Sequence, residues 1–301
     1  AAVLDGCRPD TLGGLLRGGG SCPNGRWGDM NWFTPLMGAA QAGNPAKAAQ
    51  LLRHGSDPRR ECHNGSTAMH FAIASTSHSA ARTIRVLASA LGPEYVEAYR
   101  ERETGFTLLH RAALEAETLS VFKAVVGLPG MASAVDTRSR RFGHTALQFA
   151  CVESSDAPVR VRLLLAAGAS VNRRDDVHGD TALLFACRHY ERLNRSAAVL
   201  RVLLDYGADR DLRSRGKDGE GGATALAYLQ LGGVHKGLRS GLSQLTTEGS
   251  GADPEFLVAV RRSATKLLVE YESPAMAAAR RRRGASPRRR KRPRGEDGDG
   301  A

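Results

Sequence analysis

Aromatic side chains are scarce in this chain: two Trp, six Tyr and eight Phe make up 5% of 301 residues. Any core must therefore be built mainly from small and aliphatic groups, and hydrophobic residues at 42% suffice for that. No apolar stretch approaches the roughly 18 residues that a membrane-crossing helix needs. No charged-then-apolar segment in the manner of a secretory signal opens the sequence. The five cysteines, Cys7, Cys22, Cys62, Cys151 and Cys187, show no disulfide-framework spacing, which fits a reducing cytosol or nucleus. No Gly-rich phosphate loop follows a strand, since Gly216, Gly219, Gly221 and Gly222 lie in a charged turn. No Gly-x-Ser-x-Gly elbow is present. The close Cys/His pairs, Cys62-His63 and Cys187-Arg188-His189, lack the second pair of a four-ligand site. These gaps argue against an enzyme, a metal protein and a cofactor carrier.

What the chain has is a repeat. Thr34-Pro35-Leu36-Met37-Gly38-Ala39-Ala40 returns as Thr67-Ala68-Met69-His70-Phe71-Ala72 and as Thr107-Leu108-Leu109-His110-Arg111-Ala112-Ala113. It returns again from Thr145, Thr181 and Thr224, so the steps between threonines are 33, 40, 38, 36 and 43 residues. Self-similarity at this period indicates a stacked solenoid. Thr suits a helix N-cap, and Pro35 sits where the N–H has no intrahelical partner. Ala at 39, 40, 72, 112, 113, 150 and 186 lets helices approach closely. Leu-rich segments ending at Gly55, Gly168 and Gly207 read as second helices with left-handed C-terminal caps. Gly65, Gly105, Gly143, Gly179 and Gly222 each precede a threonine by two, as turn residues. Each unit is thus turn, helix, link, helix, and none buries its apolar face alone. Cys151 and Cys187 take the second Ala position and are expected as small buried hydrophobes.

The phrase resembles the ankyrin signature T-P-L-H-x-A, well over residues 34 to 230. The resemblance implies an all-α ankyrin-repeat solenoid whose hairpin loops point one way and edge a concave binding surface. It implies that His70 and His110 hydrogen-bond within and between repeats, a structural role set against metal binding. The copies are irregular. The links before Gly92, Gly168 and Gly207 are stretched, and the third unit replaces its Gly-Ala-Asp close with Gly127-Leu128-Pro129-Gly130-Met131. Such units resemble those of large DNA virus ankyrin proteins, especially poxviral ones, which would imply an adaptor recruiting host proteins. No F-box-like segment follows the sixth unit.

The expected organisation has three parts. Residues 1–33 form a degenerate capping repeat, whose Trp27, Trp32 and Phe33 cover the stack end or, alternatively, bind a ligand. Residues 34–272 form about six ankyrin units, with a Gly/Ser/Thr-rich insertion at 232–253 and a displaced second helix marked by Phe256, Leu257, Val260, Ala264, Leu267 and Leu268. Residues 273–301 form a disordered basic tail.

Charge is lopsided. Residues 280–301 carry +7 of the total formal charge of +12. Arg280, Arg281, Arg282 and Arg283, then Arg288, Arg289, Arg290, Lys291, Arg292 and Arg294, read as a nuclear localisation signal or as a nucleic-acid arm. Ser286 precedes Pro287 between the clusters, where phosphorylation would oppose either use. The hairpins carry Arg59, Arg60, Arg138, Arg140, Arg141, Arg173, Arg174, Arg213 and Arg215. Aligned, they form a basic ridge for a partner protein with an acidic or mixed surface; the alternative is charge kept for solubility alone. The expectation is a monomeric, non-catalytic interaction scaffold or inhibitor in the nucleus, with the cytoplasm as alternative place. It uses no cofactor, metal or membrane. Family analogy offers the inhibitor-of-NF-κB style of holding a transcription factor. The second reading is a chromatin or nucleic-acid-associated protein anchored by the tail.

Overall fold

The computed structural model describes residue 24 and residues 33–152, 156–190, 197–215, 221–231 and 254–271. In chain order, unit one comprises α1 (Pro35–Gln41) and α2 (Pro45–Arg53). Unit two holds α3 (Ala68–Ile73), α4 (Ala80–Leu91) and a further helix, α5 (Pro93–Ala98). Unit three holds α6 (Leu108–Glu115), α7 (Leu119–Val126) and the short α8 (Met131–Ala134). Units four and five are α9 (Ala146–Ala150) with α10 (Ala157–Ala166) and α11 (Ala182–Arg188) with α12 (Ala197–Asp205). Strands β1 (Arg213–Arg215) and β2 (Gly221–Thr224) pair antiparallel and lead to unit six, α13 (Ala225–Leu231) and α14 (Pro254–Glu270).

First helices stack on first helices in the order α1, α3, α6, α9, α11, α13, and second helices on second in the order α2, α4, α7, α10, α12, α14. This is an ankyrin stack. The threonines start it: the hydroxyls of Thr34, Thr107, Thr145 and Thr181 accept from the backbone N–H three residues on, at 3.3 to 3.4 Å. The cap satisfies a first-turn donor that has no partner inside the helix. Small residues then let the columns close. Ala40, Ala72, Ala112, Ala150 and Ala186 are at most 1% exposed, and Cys151 and Cys187 are buried beside them. Burial pushes both thiols up, so they remain protonated.

Hairpins between units repeat one hydrogen-bond pattern. Glu101 N–H donates to the Phe106 carbonyl (2.9 Å), Ser139 to His144 (2.8 Å) and Asp175 to Asp180 (2.9 Å). At Gly105 and Gly143 the backbone has φ of 69° and 66°, and an added Cβ would stand 2.7 and 2.6 Å from the backbone nitrogen of Arg140 and Asp176. Glycine therefore sets how closely consecutive hairpins lie. A polar bracket recurs at the same step. Asn172 accepts from Asp209 N–H at 2.9 Å, Asp136 from Ser170 N–H at 2.9 Å, and Asn24 from Asp57 N–H at 2.7 Å.

The stretched sixth unit closes as its apolar spacing suggests. α14 packs on α13 and α12, with Ala264 and Leu268 buried and Leu267 half-buried. Residues 1–23, 25–32, 232–253 and 272–301 lie outside the described residues, and with them Trp27, Trp32, the insertion and the tail. Arg160 on α10 was not singled out in the sequence. Only 2% exposed, it donates to the carbonyls of Ala112 (3.4 Å) and Ala116 at the end of α6, and lies over the Phe122 ring at 5.2 Å. The negative end of α6 thereby receives a buried cation from the next unit.

The family histidine behaves as the resemblance implies. Thr107 N–H donates to His110 Nδ1 at 3.1 Å, so the ring proton sits on Nε2, which donates to the His144 carbonyl at 3.0 Å. Thr67 N–H donates likewise to His70 Nδ1 (3.0 Å), and His70 Nε2 meets the Tyr99 hydroxyl at 3.0 Å. Burial lowers both histidines from 6.5 to about 4. In unit four Gln148 takes the same place, accepting from Thr145 N–H (2.8 Å) and donating to the Asp180 carbonyl (2.7 Å).

Two outcomes are expected. Ala186→Asp buries a carboxylate with no partner, which costs several kcal/mol, a large part of a typical domain's stability of roughly 5–15 kcal/mol. The far-UV melt should collapse, and an unchanged melt would place Ala186 outside the core. The two histidines bind protons more readily unfolded than folded. Their contribution is therefore complete above pH 6.5 and is lost as pH falls through about 4. The loss amounts to about 3 kcal/mol per histidine. Urea titrations across this range should show stability falling with acid, and a His70→Gln/His110→Gln variant should flatten the slope. An unchanged slope would refute the neutral, buried imidazoles.

Candidate protein-binding face

In units two to six the side chain four places after the threonine forms a column along the first helices: Phe71, Arg111, Phe149, Phe185 and Tyr228. Phe106 and His144, which precede threonines, and Phe142 fill the spaces between. Ring centroids step from Phe106 to Phe149 at 5.5 Å, Phe149 to His144 at 5.5 Å, His144 to Phe185 at 4.8 Å and Phe185 to His189 at 4.5 Å. Phe33 meets Phe71 edge-on at 5.0 Å. These separations suit aromatic pairs. Six of the eight phenylalanines stand in this row. Phe33, Phe71, Phe142, His189 and Tyr228 remain half-buried, so the row keeps open aromatic edges.

Arg111 stands in the column and Arg188 beside it, and each is paired with a carboxylate of the hairpin before its own helix. Arg111 pairs with Glu101 of the preceding hairpin and with Glu115 one turn on, and lies 5.7 Å over the Phe106 ring. Arg188 stands 2.9 Å from the Asp180 carboxylate, bonds the Tyr228 hydroxyl and lies 4.9 Å over that ring. Tyr228 passes the chain on to Ser214 at 2.9 Å. Burial, then the charge of Asp175, pushes the Asp180 carboxyl up to about 8. The Arg174 guanidinium opposes that shift. Asp175 accepts from the N–H groups of His178 (2.7 Å) and Gly179 (3.0 Å), which closes the hairpin around it. Burial also raises the Tyr99 hydroxyl, so it stays protonated beside His70.

The hairpin arginines divide into two groups. In the later hairpins, Arg140 donates to the Arg102 carbonyl (3.4 Å), Arg174 to the Gly179 (2.9 Å) and Arg213 (2.7 Å) carbonyls, Arg213 to Gly222 (3.4 Å) and Arg215 to Asp176 (3.3 Å). Arg138 forms an ion pair with Asp176. Arg141 lies 5.2 Å over the Phe142 ring, and Arg173 is exposed. Most of these bonds run from one hairpin to its neighbour. Carbonyl acceptors hold a guanidinium in place without cancelling its charge. The earlier pair leads elsewhere: Arg59 lies over Tyr95 at 5.2 Å, and Arg60 donates to the Asn24 carbonyl at 3.1 Å.

The tail residues from Arg280 to Arg294, and Ser286 with them, lie outside the described residues. Among the described residues no cluster of His, Cys, Asp or Glu could hold a metal ion, and no helix is long and apolar enough to cross a membrane. Sequence reasoning missed the aromatic column and the Arg111 and Arg188 clusters. The signal was available as a recurring offset from the later threonines, but it needed the stack to reveal that Phe106 and His144 link the side chains at these positions.

The family description "Ankyrin repeats (3 copies)" matches residues 36–127 and 109–214. No curated protein matches the chain by sequence. Among solved structures, the ankyrin repeat domain of Bcl-3, described as a unique member of the IkappaB protein family, is similar at 25% identity and a TM-score of 0.58. That match covers 75% of this chain and 91% of that one. The human ASB11 ankyrin repeat domain is similar at 22% identity and a TM-score of 0.52, over 84% of this chain and 100% of that one. A chain from the Bdellovibrio bacteriovorus complex of the predatory endopeptidase Bd0816 with immunity protein Bd3460 is similar at 22% and 0.50, over 65% and 91%. With its repeats matched over more than half of its length and its helices stacked in two columns, the chain belongs to the ankyrin-repeat family.

Proposed function

We propose that the chain is a non-catalytic scaffold that captures a protein of acidic or mixed surface across its first helices and later hairpins. Ankyrin stacks in general serve as protein-interaction modules, using a concave surface of this kind. The observation that carries the reading is the coupling of half-buried Phe, Tyr and Arg along the first helices to hairpin arginines held by neighbouring carbonyls. Aromatic and arginine side chains dominate binding energy at protein interfaces. Cations already fixed in place lose little side-chain freedom on binding and steer an acidic surface to the ridge. In the mode of action we propose, a regulatory protein is held and kept from other partners; the likeness to the Bcl-3 ankyrin repeat domain, described as a member of the IkappaB protein family, fits an ankyrin scaffold of this kind. Nuclear action is part of the proposal, and its support is the basic run from Arg280 to Arg294. As an extended segment it suits the acidic groove of an import carrier, with modification of Ser286 as a brake.

Two measurements test this. Arg140→Glu, Arg141→Glu and Arg173→Glu together change exposed positions, so the melt should hold while the dominant partner disappears from affinity purifications read by mass spectrometry. Recovery of the same partner at the same yield would reduce the ridge to a solvated surface. Residues 280–294 grafted onto a large cytoplasmic reporter should carry it into the nucleus. A reporter that stays in the cytoplasm rejects the import role. Salt-sensitive retention of the full chain on DNA, lost on deleting 280–294, would then favour the nucleic-acid arm.

A further inference from the structure

Units two and three carry a third column that the other described units lack. After the second helix, each chain segment turns into an extra helix, α5 in unit two and α8 in unit three, and these two pack on one another. The stack does not require them, because units four and five close directly through Gly168-Ala169 and Gly207-Ala208. The contact is tight: at Gly130, with φ of 86°, an added Cβ would lie 2.9 Å from the Pro93 carbonyl.

Where this column meets the ends of α4 and α7, a cleft of about 470 Å³ opens. Its apolar lining includes Ala88, Val96, Ala124 and Leu128, all buried, and Arg85 and Lys123 also line it. Both cations are exposed, and neither forms an ion pair with a carboxylate among the described residues. Glu94 and Glu97, the carboxylates of α5, are exposed and do not line the cleft. No lining residue comes from a first helix or from a hairpin, so the cleft is separate from the face described above.

The geometry points to a second docking site, for an acidic peptide segment of a partner protein. One aliphatic side chain of that segment rests on Pro93 and Pro129 above the Leu128 edge, and flanking carboxylates meet Arg85 and Lys123. The size falls in the range of pockets that enclose a small ligand or a few side chains. Two unpaired cations beside an apolar floor favour a ligand that joins negative charge to an aliphatic group, since each part finds its complement. A purely basic or purely polar segment leaves one of the two unmatched.

The test uses the full chain and fluorescence polarisation of a labelled synthetic peptide of alternating Glu and Leu. The peptide should bind, and peptides with Lys in place of Glu, or Ser in place of Leu, should bind at least roughly tenfold more weakly. Arg85→Glu/Lys123→Glu should weaken the Glu/Leu peptide by a similar factor and strengthen the Lys/Leu one. Ser89→Trp, at an exposed residue lining the cleft, should block both. Circular dichroism melts confirm that these variants fold. Arg140→Glu/Arg141→Glu/Arg173→Glu should leave binding unchanged, which separates this site from the hairpin ridge. No binding to the unaltered chain, equal binding by the double-charge variant, or loss only in the hairpin variant would each overturn the proposal.

Discussion

In units two to four, the side chain three places after the threonine ties local helix to global stack. In unit three His110 accepts from the N–H of Thr107 and donates to the His144 carbonyl of the next hairpin. The first bond caps the start of the helix, and the second sets the distance to its neighbour. Gln148 repeats both bonds with a different functional group, so in these three units an acceptor and a donor on opposite ends of a planar side chain serve the position, whereas Met37, Leu184 and Ala227 stand there in the other three. His70 keeps the first and turns the second to Tyr99, because unit two has gained a helix and the following hairpin is reached through it. The column of small residues, the hairpin glycines and the aromatic row all presuppose this spacing.

The buried charges follow from the same constraint. A first helix ends against the next unit, where its last carbonyls are shut away from water. Arg160 answers with a guanidinium, and its burial is tolerable because the carbonyls of Ala112 and Ala116 accept from it and the helix end is negative. Arg111 and Arg188 sit one layer further out and are matched by carboxylates. On the hairpins, where water is at hand, arginines use carbonyls of adjacent hairpins and keep their charge. The molecule thus holds its buried cations with carbonyls or carboxylates and leaves several at the rim, Arg140 and Arg173 among them, without a carboxylate partner, an arrangement that suits an acidic protein surface.

Irregularity is concentrated where it alters the surface. Lengthening in units two and three adds α5 and α8 on the outer side of the second helices, and the two additions support each other. A solenoid tolerates this because each unit contacts only its neighbours, so an insertion that leaves the two columns intact leaves the stack intact.

Much of the fold was legible from the chain alone. The threonine phrase, the alanines and the Leu-rich second helices are local patterns, and capping, periodicity and close packing act over a few residues. Even the displaced α14 was marked by its apolar spacing at Ala264, Leu267 and Leu268. The arginines of the hairpins could be recognised as a set, but not which of them bracket a neighbour and which stand free. Arg140 and Arg102, or Arg174 and Arg213, are close to forty residues apart in sequence and meet only because consecutive hairpins lie side by side. The same holds for the column from Phe71 to Tyr228, for Arg160 under α6, and for the cleft between Val96 and Leu128. Patterns confined to a turn or a helix are determined by the sequence itself, whereas contacts between units are decided by the stacking distance, which no single unit encodes.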